Sequence, residues 1–386
     1  MREEQEGKLL IVSWVVHPWP SGSSVIVNNI ASQFRQDELV LFGEEYLNDT
    51  DLSWPSNYPK IHYTNPNINI RGRGQRYLRW VNIRKVINEI IEVVERENVN
   101  KILCIFPDEF YLFAAYTVSK RLNLPMFSWF HNTFADNLMG LRKYFAMWMQ
   151  PRVFRHCKVN FVMSEGMKLF YGKKYPKTSF HTLPHGFELP QPKKALKNEE
   201  VRTQNKFVYT GNLNESCRDA SIRLLKVILD DPNNVVDAYC STTPEEFQGW
   251  GIDSKNFHVK GFVSLDELNE KLRTYDILLL PHGFDGGRTQ VEFDTIFPTR
   301  TIPLLTAGKP ILAHSPKGSF LTHFLKQNKC ALNVDTKDVS MIKSAISKLL
   351  EDKEYVEELT KNAFLTSKYF EIENVVSILR ESLNLK

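Results

Sequence analysis

Cysteine is scarce and unpatterned. Five residues, Cys104, Cys157, Cys217, Cys240 and Cys330, are scattered over 386 positions. An odd number without CxxC spacing argues against a disulfide framework or a zinc site and for a reducing compartment. No apolar run approaches the roughly 18 residues that a membrane-spanning helix needs. The chain starts on the acidic Met1-Arg2-Glu3-Glu4, and its first apolar run, Leu9 to Val16, is only strand-length, so it does not read as a secretory signal. Glycine-rich phosphate loops are missing as well. There is no GxGxxG after the first strand and no GxxxxGK followed by Ser or Thr, which weighs against dinucleotide binding and P-loop hydrolysis. HExxH, GxSxG and EF-hand patterns, internal repeats and low-complexity tracts are all lacking.

What is present is ordinary in bulk and uneven in detail. Hydrophobic residues make up 42% and charged residues 24%, which excludes a disordered or rod-like chain. The 25 Phe, 14 Tyr and 7 Trp supply ample core and some stacking surface. The net charge of +4 sits in the first half. Nine Lys or Arg face a single acid, Glu165, between Asn137 and Phe180, whereas the balance after residue 190 is 26 basic to 27 acidic. Such a stretch is either a solvated face or a surface for an anionic partner.

Short apolar runs alternate with helix-length amphipathic stretches. Strands are expected at Leu9–Val16, Leu39–Phe42, Lys60–Thr64, Lys101–Phe106, Met126–Phe130, Val159–Ser164 and Ser179–Leu183. They resume at Lys206–Gly211, Val235–Cys240, Asn256–Gly261, Asp276–Pro281, Pro310–His314 and Cys330–Val334. They lack strict polar alternation, as parallel strands covered on both faces do. Helices are expected at Arg84–Asn98, Arg218–Leu229, Leu265–Thr274, Val339–Glu351 and Ile372–Leu383. Prolines 184, 190 and 192 and the charged run after them mark a linker at 188–204. The expected architecture is α/β, with two Rossmann-like, doubly wound domains facing a cleft. Their spans are 1–187 and 205–365, and a final segment, 366–386, crosses back to the first domain. Such a pair of domains serves dehydrogenases, epimerases, kinases and glycosyltransferases alike, so function has to come from the site.

Several segments, in chain order, resemble the GT-B glycosyltransferases, above all the retaining family 4. They are His17-Pro18-Trp19-Pro20-Ser21-Gly22-Ser23-Ser24 before a helix from about Val25, Phe130-His131-Asn132, Met163-Ser164-Glu165-Gly166, Phe207 to Leu213, His258 to Val263, and Phe297 to Ala313. The likeness covers most of the chain and is best over 205–315. It implies sugar transfer from a nucleotide-sugar donor, of UDP or GDP type, to an acceptor hydroxyl. It also implies retention of configuration and no cofactor or bound metal.

The same likeness assigns roles. His131, Arg300 and Arg218 would be catalytic. Gly22, Ser23, Gly211, Asn212, Phe262, Val263, Pro298 and Thr299 would hold the donor. His17, Asp108, Glu109 and Asn132 would face the acceptor. Local chemistry supports part of this. Gly211 and Asn212 end a strand where doubly wound sheets bind nucleotides. Thr299 could cap a helix whose amides suit a phosphate, with Arg300 adding a forked contact. Gly308-Lys309-Pro310 stops that helix. Against each stands a structural reading: a plain turn at Gly22 or Gly211, a core histidine at 131, a helix cap at Asp108, a solvated Arg218, and core side chains at Phe262 and Val263.

One departure matters. The family carries a Glu-x7-Glu motif whose two acids would align with Thr295 and Pro303; Glu292 and Asp294 are nearby but out of register. The sequence therefore leaves three readings. The first is a cytoplasmic glycosyltransferase of glycan or polysaccharide synthesis. Its acceptor would be a glycan, a lipid-linked or a small molecule, it would touch an anionic membrane through 137–180, and it would bind no nucleic acid. The others are a nucleotide-sugar epimerase on the same scaffold and a non-catalytic sugar-nucleotide-binding subunit.

Overall fold

A computed structural model describes residues 7–19, 22–46, 57–68, 74–189, 204–285 and 289–385. The chain divides into two compact units, one of residues 1–187 with 372–386 and the other of 188–371. The expected linker, 188–204, lies almost wholly outside the described residues, as do Pro20 and Ser21.

The first unit holds seven parallel strands: β1 (Lys8–Ser13), β2 (Leu39–Glu44), β3 (Lys60–Thr64), β4 (Val99–Phe106), β5 (Met126–Phe130), β6 (Asn160–Val162) and β7 (Phe180–Thr182). Their order is β3-β2-β1-β4-β5-β6-β7. The second unit holds β8 (Asn205–Thr210), β9 (Asn234–Tyr239), β10 (Phe257–Val259), β11 (Ile277–Pro281), β12 (Ile311–His314) and β13 (Leu332–Val334), in the order β10-β9-β8-β11-β12-β13. All thirteen expected strands are present. Both sheets wind outward in two directions from one pair of neighbours, β1 with β4 and β8 with β11, which opens a crevice at the C-terminal ends of those strands.

The apolar runs explain the layers. Every residue of β2 and of β11 is buried, so helices must cover both faces. The helix Ile83–Arg96 buries Val86, Ile87, Ile90, Val93 and Val94, the stripe that a 3.6-residue repeat gives. Side-chain caps set many helix starts: Ser164 accepts from the Met167 amide, Ser264 from Glu267, and Thr243 and Glu246 form a reciprocal capping box.

The last helix, Ile372–Leu383, belongs to the first unit. Its Ile372, Val375, Val376, Leu379 and Leu383 enter the same core as Leu9, Ile11, Trp129 and Leu183. Each such buried aliphatic contributes about 1.5–3 kcal/mol. Gly186 permits the approach, since a Cβ there would meet Ile372 Cδ1 at 2.5 Å. Arg380 pairs with Glu38 at 3.0 Å beside it.

Candidate functional site

In the second unit the site grows from the end of β8. Gly211 takes φ of +79°, a conformation that side chains strain to adopt, while its amide still donates to the Tyr239 carbonyl at 2.9 Å. Asn212 Oδ1 accepts from the amide and the hydroxyl of Ser241, both at 2.8 Å, and Leu213 N–H donates to Thr242 Oγ1. The turn is thereby tied to the loop after β9.

Arg300 corrects the expectation drawn from the sequence. Its guanidinium points under the turn. Nη1 donates to the Thr210 carbonyl at 2.9 Å and to Tyr209 Oη at 3.1 Å, and Nη2 donates to the Asn212 carbonyl at 3.1 Å. Cys217 Sγ lies 3.6 Å from Nη2. The fork expected on a phosphate is spent on the carbonyls either side of Gly211.

Thr299 is corrected too. The helix starts at Thr301, with Arg300 in the capping position and no side-chain cap. Thr301 N–H donates to the Pro298 carbonyl and Ile302 N–H to that of Thr299, so these first amides are already taken by the turn. Pro298 and Thr299 act here as backbone acceptors.

Arg218 is the less committed cation. It opens the helix Arg218–Leu229, and its Cζ lies 5.1 Å from the Trp250 ring centroid. Its Nε is buried without a hydrogen bond, and among the described residues its side chain forms no ion pair. Beyond β10, Gly261 takes φ of +77°, and Phe262 is 81% exposed, which removes the core reading for that ring. Val263 is half-buried. Pro303 and Thr295, where the resemblance expects acids, are both buried in short helices, and Glu292 is buried as well.

A neighbouring cluster escaped the sequence reading. Asp219 accepts from the amides of Phe284 and Asp285, fixing the loop after β11. Arg223 Nη1 donates to His314 Nε2 at 2.9 Å, while His314 Nδ1 donates to the Val334 carbonyl. Burial holds the His314 imidazole neutral, with its pKa near 4. The signal was faint: an acid and an arginine one helical turn apart at a helix start.

In the first unit the helix after β1 begins at Gly22, three residues earlier than expected, so Gly22 and Ser23 lie in its first turn. A Cβ on Gly22 would meet nothing within 4 Å among the described residues. His17 donates no charge at neutral pH, because burial lowers its pKa to about 4. Its carbonyl accepts from Tyr63 Oη.

His131 follows β5 and is fully buried. Its ring packs edge-on against Trp129 at 4.5 Å and His185 at 4.9 Å, and among the described residues neither ring nitrogen has a hydrogen-bond partner. Burial, then the neighbouring His185, drives its pKa well below 6.5. Asn132 beside it is half-buried. A buried imidazole with no protein partner is met by an ordered water or a ligand, or is tolerated at a cost in stability. His131→Phe is therefore expected to leave melting unchanged or raised while donor turnover falls at least about tenfold. A fall in melting temperature with turnover retained would make it a packing residue. Because His185 is also held down to about 3, the unfolded chain takes up protons first, and stability declines as pH falls from about 6.5 towards 3.

Asp108 and Glu109, expected to face an acceptor, are instead buried and paired with arginines. Asp108 caps the helix Glu109–Leu122 by accepting from the amides of Phe110 and Tyr111, and pairs with buried Arg79 at 2.6 Å. Arg79 also lies 3.8 Å from Glu44, whose carboxylate accepts from Asn67 and Tyr111. Burial pushes the Glu44 pKa up. Glu109 accepts two bonds from Arg142, both at 2.9 Å, and one from Arg76 at 3.0 Å. Against the effect of burial, these arginines hold its pKa below the usual range. Both carboxylates are buried and already paired with arginines, so neither presents an open face to an acceptor hydroxyl, and the acceptor role is withdrawn from both.

Among the described residues no group of three or more His, Cys, Asp or Glu could hold a metal ion, and no helix is long and apolar enough to cross a membrane.

No family model matches the sequence, and no curated protein matches it. Solved structures do. Sucrose-phosphate synthase (tll1590) from Thermosynechococcus elongatus matches over 98% of both chains at 12% identity, with a TM-score of 0.75. Anabaena Alr3699/HepE, solved with UDP and glucose, is 12% identical over 98% of this chain and 99% of its own, with a TM-score of 0.68. The lipopolysaccharide outer core galactosyltransferase WaaB, in its apo form, gives 12%, 98%, 99% and 0.67 by the same measures. At such identities the likeness shows the fold, which is GT-B.

Proposed function

We propose that this chain is a glycosyltransferase that moves a sugar from a nucleotide-sugar donor to an acceptor hydroxyl. One observation carries the reading. Two positive-φ glycines, Gly211 and Gly261, stand past the ends of β8 and β10, with Arg218, which forms no ion pair among the described residues, and exposed Phe262 in the same unit of a GT-B fold. Gly211 lets a diphosphate approach the backbone, Arg218 and the start of its helix supply positive charge, and Phe262 offers a face to the base.

The transfer breaks the bond between the sugar carbon and the phosphate oxygen, and the electron pair leaves with the diphosphate. The acceptor oxygen bonds to the same carbon, and its proton passes to the leaving phosphate. In this reading the reaction retains configuration and needs no cofactor or bound metal. Charge grows on the diphosphate as the bond breaks, so Arg218 binds it more tightly in the transition state. A UDP-type donor is favoured over GDP because HepE, similar in fold, was solved with UDP and with UDP-glucose. The acceptor is a glycan, a lipid-linked or a small molecule, met in the cytoplasm.

Pro303 and Thr295 favour a second reading, a binding subunit without turnover, because the ribose lacks its usual acid. A melting panel of UDP, GDP, ADP and CMP sugars separates the two. One donor at 100 times its dissociation constant is expected to stabilise the chain by about 2.7 kcal/mol, and to be consumed. Stabilisation without consumption gives the binding subunit, and no stabilisation by any donor overturns both readings.

A further inference from the structure

The first two turns of the helix Leu141–His156 carry apolar side chains on both sides. Its inner face buries Ala146, Met149, Gln150, Val153 and Phe154. Its outer face carries Leu141, Tyr144 and Trp148 at positions i, i+3 and i+7, with Met147 alongside. These four are 84%, 72%, 45% and 55% exposed respectively. Met139, just before the helix, is 73% exposed. A surface helix ordinarily turns polar residues outward, and one that is apolar all round is buried in protein or in lipid. Here the second face is left in water.

The charges around that face are of one sign. Lys143, Arg152 and Arg155 are exposed on the same helix, and no acidic residue occurs from 137 to 164. Arg152 Cζ sits 4.4 Å from the Trp148 ring centroid and its Nη1 donates to the Trp148 carbonyl, so a cation is fixed at the rim of the apolar row. Arg142 is spent on Glu109 and takes no part.

We infer that this face docks on an anionic lipid surface, with Leu141, Tyr144, Met147 and Trp148 dipping among the headgroups and Lys143, Arg152 and Arg155 meeting lipid phosphates. Tyr and Trp favour that depth, since each has an apolar body and a polar tip. The geometry is that of an interfacial helix lying in the membrane plane. A second copy of the chain fits worse. A two-fold contact would set this face against itself and bring the same cations together. The inference does not rest on the transfer reading, because lipid binding is measured without donor.

The test is flotation of the full chain with vesicles of phosphatidylcholine alone and with about one third phosphatidylglycerol, at low and high salt. At least about tenfold preference for the anionic vesicles is expected, lost at high salt. Leu141→Ser with Trp148→Ser should cut binding about tenfold, and Lys143→Gln or Arg155→Gln about fivefold each. These side chains are exposed, so melting should not change in any variant. Equal binding to both vesicle types, no binding, or variants that float like the parent would overturn the proposal. A dimer dispersed by Leu141→Ser with Trp148→Ser, without vesicle binding, would assign the face to a second copy and overturn it equally.

Discussion

Arg300→Ala is expected to destabilise the second unit by about 3 kcal/mol and to weaken donor binding with it. The guanidinium supplies charge-assisted hydrogen bonds to the Thr210 and Asn212 carbonyls and to Tyr209 Oη. Each such bond is worth about 1.5–3 kcal/mol, less what water restores once the side chain is gone. For a unit of this size that is a drop of about 6–12 °C in melting. Gly211 would lose the support that fixes its positive φ, so the diphosphate would meet a loosened turn. Arg300→Lys should recover little, because one ammonium cannot span both carbonyls. Thermal melts and donor calorimetry on both variants check this. Unchanged melting with donor binding abolished would show a direct phosphate contact instead.

The second large effect is expected in the first unit. Arg79→Ala leaves Asp108 and Glu44 buried without their cation, and breaking a buried pair in this way costs about 3–5 kcal/mol. Asp108→Ala should cost a similar amount, since it also removes the cap on the helix Glu109–Leu122. The double variant Arg79→Met with Asp108→Asn should recover part of the loss, because position 108 is then uncharged and Glu44 keeps its hydrogen bonds from Asn67 and Tyr111. If Asp108 bound the acceptor, Asp108→Asn would raise the acceptor KM at unchanged melting. The burial and the 2.6 Å pair with Arg79 predict the reverse order of effects. Denaturant unfolding of the four chains gives the answer without any substrate.

The contrast between these residues shows what a sequence carries. Strands were legible because burial on both faces leaves unbroken apolar runs, and β2, β3, β5 and β11 lie close to the runs that marked them. Helices with a clean 3.6-residue stripe, such as Arg218–Leu229 and Val339–Glu351, have the expected bounds. Side-chain direction was not legible. Asp108 meets Arg79 from 29 residues away, and Trp129 Nε1 bonds the Leu183 carbonyl 54 residues on, close to where His185 meets His131. Nothing in the local pattern around Arg300 says that its fork turns back under β8, because its partners are backbone carbonyls, which every sequence has. Phe262 shows the same limit from the other side: its apolar neighbours leave a core reading open, and only the loop's path shows the ring in solvent.

The proposed function requires a nucleotide sugar to bind with its diphosphate at the turn after β8. A crystal structure of the full chain soaked with UDP-glucose tests it most directly. Diphosphate density is expected against the backbone at Gly211 and within hydrogen-bond reach of Arg218, with the base beside Gly261 and Phe262. Nucleotide density on the first unit alone, around Gly22 and His131, would contradict it.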